Sequence, residues 1–157
     1  MVECLINHVA IDVDDIEEAI DFYTDLFDME RVPKPESDLT YVWLEFGDQQ
    51  LHIVERGEER SPTQHFALIV DDFETVWDRA VEWGVLGEDT GYVRALPSGL
   101  VQCYIHDPSG NRVEFMWPDA ETLPDRITSH VDYIDTTAPT DGPAGATIAS
   151  NIDAFQD

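Results

Sequence analysis

Three histidines and one glutamate stand where strand geometry could turn them toward a single metal ion. His8 heads the stretch His8-Val9-Ala10-Ile11-Asp12-Val13-Asp14-Asp15, and His65 heads a near restatement of it, His65-Phe66-Ala67-Leu68-Ile69-Val70-Asp71-Asp72. When the hairpins that follow are aligned, Leu51-His52-Ile53 falls against Val113-Glu114-Phe115, so His52 is the counterpart of Glu114. Side chains alternate along a strand, and apolar neighbours therefore set each of these polar groups on one face. Three imidazoles and a carboxylate suit Fe²⁺, Mn²⁺, Co²⁺, Ni²⁺ or Zn²⁺ and leave positions of an octahedral shell to water or substrate. Taken singly, a strand histidine is more often a hydrogen-bonded core or rim residue, and Glu114 reads as a solvent-facing one. The repeated placement is what weighs the four residues toward a shared metal site.

The remaining reactive side chains are weaker candidates. His106 directly precedes a turn and reads as a strand-end surface residue, while His130 has no counterpart in the first copy. Glu55 has the opposite strand parity to His52, which points it away from the proposed pocket. Cys103 has Tyr104 beside it rather than a basic group, which gives no case for an activated thiolate. Together with Cys4 it makes two cysteines, too few for a disulfide framework, so packed thiols are expected.

The elements that must position these residues follow the same grammar twice. In the first copy Asp14 precedes Glu17 by three, the order of a helix capping box, and Ile16, Ala19, Ile20, Tyr23, Leu26 and Phe27 recur at helical spacing to about Asp28. In the second, Asp71 precedes Glu74, and Phe73, Val76, Trp77 and Ala80 form the matching apolar face, with Gly84 as the helix stop. Beyond each helix the period becomes two. Residues 39–46 and 50–55 form one hairpin around Gly47-Asp48-Gln49. Residues 101–106 and 112–117 form the other around Asp107-Pro108-Ser109-Gly110-Asn111. One further strand per copy is expected in 29–33 and 91–96. The fold class is α+β: two tandem β-α-β-β-β modules, 5–56 and 63–117, whose sheet curls around a shared pocket within one domain, 5–117. Residues 118–157 form a C-terminal extension. Its part rich in Thr, Pro, Gly and Ala, 136–145, resembles a linker, and docking of 148–155 on the domain is an open alternative to a loose tail.

Of the 157 residues, 34 are acidic and 8 basic, a formal net charge of −26, and Lys34 is the sole lysine. So negative a surface repels nucleic-acid phosphate and anionic membranes, and neither is expected as a partner. The N-terminal residues lack a basic stretch before an apolar one, and no apolar run approaches the roughly 20 residues of a spanning helix, so a cytoplasmic protein is expected. The composition is similar to that of proteins from salt-loving archaea, which implies a fold that depends on salt to screen its own repulsion.

At these residues the chain resembles the vicinal oxygen chelate superfamily, the group of glyoxalases, bleomycin-resistance proteins and extradiol (dihydroxybiphenyl) dioxygenases. The resemblance runs over about 5–117. It is carried by His8-Val9-Ala10-Ile11 with Asp14-Asp15, Phe22-Tyr23-Thr24-Asp25-Leu26, His65-Phe66-Ala67 with Asp71-Asp72, and Asp107-Pro108-Ser109-Gly110-Asn111-Arg112-Val113-Glu114. It implies a metal-centred cup built from two modules, often in a homodimer, and a small-molecule substrate that chelates the ion through adjacent oxygens. It also implies His8, His65 and Glu114 as ligands, with His52 at the remaining ligand position. Glyoxalase I enzymes usually carry a carboxylate at that position, so here Glu114 is left as the one evident base. The expected function is a metal-dependent, glyoxalase-like lyase or isomerase in which Glu114 also moves a proton. The alternatives are an Fe²⁺-dependent extradiol-type dioxygenase, which uses the same two-His, one-Glu set, and a non-catalytic small-molecule binder of the bleomycin-resistance kind. Thiol transferases acting on fosfomycin share the ligand set as well, but their substrate is a phosphonate, an anion for which so acidic and lysine-poor a protein is poorly equipped, with only the metal and Arg94 or Arg112 to meet it.

Overall fold

The computed structural model describes residues 6–36, 40–57, 60–61, 63–86 and 91–134. The chain divides into two compact units, 1–66 with 106–112, and 67–105 with 113–157.

The first unit holds β1 (His8–Val13), α1 (Ile16–Phe27), β2 (Glu30–Val32), β3 (Tyr41–Phe46) and β4 (Gln49–Glu55). They form a sheet in the order β1-β4-β3-β2, with β1 parallel to β4 and the other pairings antiparallel. Period-two burial explains the arrangement. Val42 and Leu44 of β3 and Leu51 and Ile53 of β4 are buried, while Tyr41, Trp43, Gln50 and His52 between them stay partly open. The buried set meets Ile16, Ala19, Ile20, Phe22, Tyr23 and Leu26 of α1, each fully buried apolar side chain contributing roughly 1.5–3 kcal/mol. His52 therefore lies on the face turned away from α1.

The helix cap differs from the sequence expectation by one residue. Asp15, not Asp14, is the N-cap, accepting from the backbone N–H groups of Glu17 and Glu18 at 3.0 Å each. Asp14 is engaged elsewhere: its carboxylate accepts from Arg60 at 3.1 Å and its N–H donates to Ser109 Oγ at 2.9 Å. The Asp107–Asn111 turn is organised around the buried Asp107. Its carboxylate accepts from Tyr23 Oη at 2.9 Å, Ser109 N at 3.0 Å, Asn111 N at 2.7 Å and Asn111 Nδ2 at 2.9 Å.

The second copy runs β5 (His65–Ile69), α2 (Phe73–Glu82), β6 (Tyr92–Ala95), β7 (Val101–His106) and β8 (Arg112–Trp117), again β-α-β-β-β. Its sheet has the order β5-β8-β7-β6-β9, where β9 (Asp132–Tyr133) comes from the extension. Both sheets are mixed, of four and five strands, as the two-module reading requires. In the second unit α2 packs its Phe73 on Phe115 at 5.0 Å between ring centroids, which leaves Glu114 on the opposite face of β8. The α2 cap is Asp72 rather than Asp71, accepting from Thr75 N at 3.0 Å. Gly84 ends this helix as expected, at φ +70, with the Gly84 N–H on the Val81 carbonyl and the Val85 N–H on that of Ala80.

The described part of the extension, to residue 134, packs on the second copy. A 3₁₀ turn (Ala120–Thr122) leads into α3 (Asp125–Thr128), whose Ile127 is fully buried and whose Arg126 pairs with Glu74 and Asp78 of α2. β9 then adds parallel to β6, pairing Arg94 with Asp132 and Ala95 with Tyr133. Cys4 and the stretches 136–145 and 148–155 lie outside the described residues. No helix among the described residues is long and apolar enough to cross a membrane.

Candidate metal centre

The first unit brings His8 and His52 together. Their rings stack with centroids 4.1 Å apart and planes 12° apart, and Trp43, opposite His52 in the β3–β4 register, continues the stack at 4.6 Å and 11°. Burial, then the neighbouring His8, lowers the His52 pKa, which favours a neutral ring. His52 Nε2 is 3.0 Å from Gln50 Oε1, so a neutral His52 donates from Nε2 and keeps its lone pair on Nδ1. An imidazole binds metal in its ring plane. Two rings in face-to-face stacking hold their in-plane lone pairs side by side, so His8 and His52 meet on one ion only after one ring turns.

His65 opens β5 and lines a cavity of about 250 Å³ together with Ile11, Asp12, Arg60, Phe66 and Arg112. Its Nδ1 is 3.0 Å from the Thr63 carbonyl. A carbonyl oxygen only accepts, so this nitrogen carries a proton and Nε2 is the one left to face a metal. His8 has the same arrangement, with Nδ1 3.0 Å from Asn7 Oδ1. Both are exposed at the heads of equivalent strands.

In the second unit Glu114 is 3% exposed, so it is not the surface residue that its isolated reading suggests. Gln102 Nε2 donates to Glu114 Oε1 at 2.8 Å, and the Tyr104 hydroxyl is a second hydrogen-bond partner of the carboxylate. Behind them Arg94 donates from Nε to Gln102 Oε1 at 3.0 Å and from Nη2 to the Tyr104 hydroxyl at 3.3 Å. Burial and the Glu114 charge push the Tyr104 hydroxyl up to about 12. Burial, followed by the same charge, raises the Cys103 thiol well above its ordinary value, which leaves it a packed thiol and no nucleophile.

Among the described residues, no three His, Cys, Asp or Glu side chains gather closely enough to hold one ion. The donor set nonetheless has the chemistry a divalent transition metal requires. His8 and His65 present imidazoles with Nδ1 oriented by an acceptor, and Glu114 is a buried carboxylate held by donors. His106 is exposed at the end of β7, and His130 packs on Trp77 at 5.8 Å, so neither joins the set. The support around Glu114 is what residue-by-residue reading missed. Gln102 and Tyr104 share strand parity, and Arg94 stands opposite Gln102 in the β6–β7 register. A polar residue at every second position of an otherwise buried strand was the available sign.

The model of the Glyoxalase/Bleomycin resistance protein/Dioxygenase superfamily matches residues 5–115. The chain is similar to the metallothiol transferase FosB of Lysinibacillus sphaericus (strain C3-41), 30% identical over 132 residues that span 78% of this chain and 86% of that one. It is also similar to the crystal structure of a glyoxalase family protein from Bacillus anthracis, at 27% identity and a TM-score of 0.63 over 74% of this chain and 98% of that one. A third likeness is the lactoylglutathione lyase of Agrobacterium tumefaciens, at 27% identity and a TM-score of 0.55 over 73% and 93%. With two β-α-β-β-β modules and a family match over most of its length, the chain belongs to the glyoxalase/bleomycin resistance protein/dioxygenase superfamily.

Proposed function

We propose that the chain is a metal-dependent enzyme, its ion held by His8, His65 and Glu114, with His52 a fourth ligand once its ring turns off His8. Its substrate is a small molecule that binds through neighbouring oxygens. A homodimer, the arrangement the superfamily resemblance implies, is part of this reading. When bound, the metal supplies Lewis-acid stabilisation of negative charge on a substrate oxygen.

The observation that carries the choice of reaction is the setting of Glu114. Gln102 and Tyr104 both bond it, which favours a fixed ligand over a carboxylate that swings between metal and substrate. Proton shuttling of the isomerase kind therefore fits less well than addition of a thiol, the chemistry named in the metallothiol transferase it resembles. In that reaction the sulfur bonds a substrate carbon as its carbon–oxygen bond opens, and the thiol proton ends on the released oxygen.

The test loads purified protein with Mn²⁺, Co²⁺, Ni²⁺, Fe²⁺ or Zn²⁺ in D₂O and supplies fosfomycin with a panel of thiols, 2-oxoaldehyde–thiol adducts, or catechols. Thioether formation without deuterium at the reacting carbon is expected. It should fall at least about 100-fold in His8→Ala, His65→Ala and Glu114→Gln, in line with loss of a metal ligand. Deuterium incorporation dependent on Glu114 would restore the lyase or isomerase reading, and oxygen uptake with catechol cleavage the dioxygenase one. Tight small-molecule binding with no metal uptake would leave a binding protein.

A further inference from the structure

The four polar side chains on the face of β6, β7 and β8 turned away from α2 form a relay with a fixed direction. Arg94 has only donors. Its Nε at 3.0 Å therefore obliges Gln102 to present the amide oxygen, which leaves the Gln102 NH₂ to face Glu114 at 2.8 Å. By the same logic its Nη2 at 3.3 Å occupies a lone pair of the Tyr104 hydroxyl, and the single phenolic proton is sent to Glu114. A glutamine or tyrosine alone could turn either way. With the guanidinium behind them, both are donors toward the carboxylate.

Arg94 is itself held in place. It lies opposite Gln102 across the antiparallel β6–β7 pair, its guanidinium carbon is 5.2 Å from the Tyr104 ring centroid and 6.0 Å from that of Tyr92, and those two rings stack at 4.8 Å. The strand partner beyond it is Asp132 of β9.

We infer that Arg94 is a positioning residue: it sets the donor polarity of Gln102 and Tyr104, and through them keeps Glu114 an oriented, acceptor-only carboxylate suited to ligate a metal. This assigns the Arg94 charge to the protein's own carboxylate rather than to a substrate anion. The inference rests on the metal-site reading for its functional consequence, but not for the relay itself.

The two are tested separately on the full chain. In the metal-free protein, ¹⁵N spectra should show a Gln102 side-chain amide with one proton shifted downfield and protected from exchange. Arg94→Met, which keeps the stem and removes every donor, should abolish that protection at least about 10-fold, and Arg94→Lys should retain part of it. An unchanged Gln102 amide in Arg94→Met overturns the relay. Co²⁺ titration followed by its visible spectrum should then show binding weakened about 10–100-fold in Arg94→Met and Gln102→Met, with an altered spectrum at saturation. Binding in the exposed variant Arg31→Met should equal that of the parent. Equal Co²⁺ affinity and spectrum in Arg94→Met overturns the positioning role. Failure of the parent to bind Co²⁺ or any other ion, with a Gln102 amide that still responds to Arg94, removes the metal reading and leaves the relay standing. Should Arg94→Met not fold, Arg94→Lys carries the Gln102 amide comparison, and Gln102→Met with Tyr104→Phe the Co²⁺ comparison.

Discussion

Tyr23→Phe removes one oxygen atom from the centre of the first unit. Tyr23 is fully buried and Asp107 is 3% exposed, so no water is at hand to replace the 2.9 Å bond between them. A hydrogen bond to a charged group contributes about 1.5–3 kcal/mol. For a chain of this length each kcal/mol moves Tm by about 2–4 °C, so the expected fall is about 3–12 °C at neutral pH. Burial is the largest influence on the Asp107 carboxyl and raises its pKa; the bonds from Asn111, Tyr23 and Ser109 oppose it. A raised folded-state pKa gives a contribution fully present below the unfolded value and lost as pH rises through the folded one. Removing the Tyr23 bond leaves burial less opposed, and the pKa climbs further. The deficit of Tyr23→Phe is therefore greatest where Asp107 is ionised in both proteins, and it shrinks as pH falls through the two folded-state values. Urea and thermal melts from pH 7 to pH 4 measure this, and a double-mutant cycle with Asp107→Asn isolates the pair. A Tm change under 1 °C, or a deficit independent of pH, would refute the reasoning.

Two further outcomes follow from backbone crowding and from charge. A Cβ on Gly91 would sit 2.6 Å from the Val85 carbonyl oxygen and 2.7 Å from that of Tyr104, both backbone atoms, so Gly91→Ala should cost at least about 2 kcal/mol, read from a urea midpoint; a loss below 0.5 kcal/mol would show that the strand moves freely. With a net charge of −26, thermal stability should rise steadily from dilute buffer to molar KCl as the Debye length contracts to about 3 Å, and a flat Tm across that range would contradict the charge argument.

The repeat made the module pattern readable, because His8 and His65 each announce a strand and each Asp pair a helix. Both caps fell one residue late for a reason partly outside the local sequence. Asp14 is drawn to Arg60 and Ser109, 46 and 95 residues away, and Asp15 is left to cap. Asp107 read as a turn residue, since nothing near it announces a bond to Tyr23 84 residues earlier. β9 has only two residues, both exposed, and no periodicity exists over such a length. Glu114 was picked out by its alignment with His52, but the hydrogen bonds around it come from three residues on two other strands. Only the fold reveals that support.

The end of α1 bears on how this protein carries its charge. Its last turn has no basic residue, and Asp28 follows at φ +52, a left-handed conformation that glycine adopts without strain. The carboxylate thus stands at the negative pole of the helix macrodipole, where a cation would be favoured, while Gly84 closes α2 without that conflict. Acidity here overrides what the helix end prefers. Dissolved salt weakens the opposing field within the last turn, so the salt dependence expected from the net charge has one identifiable source in the closing turn of α1, beside the surface as a whole.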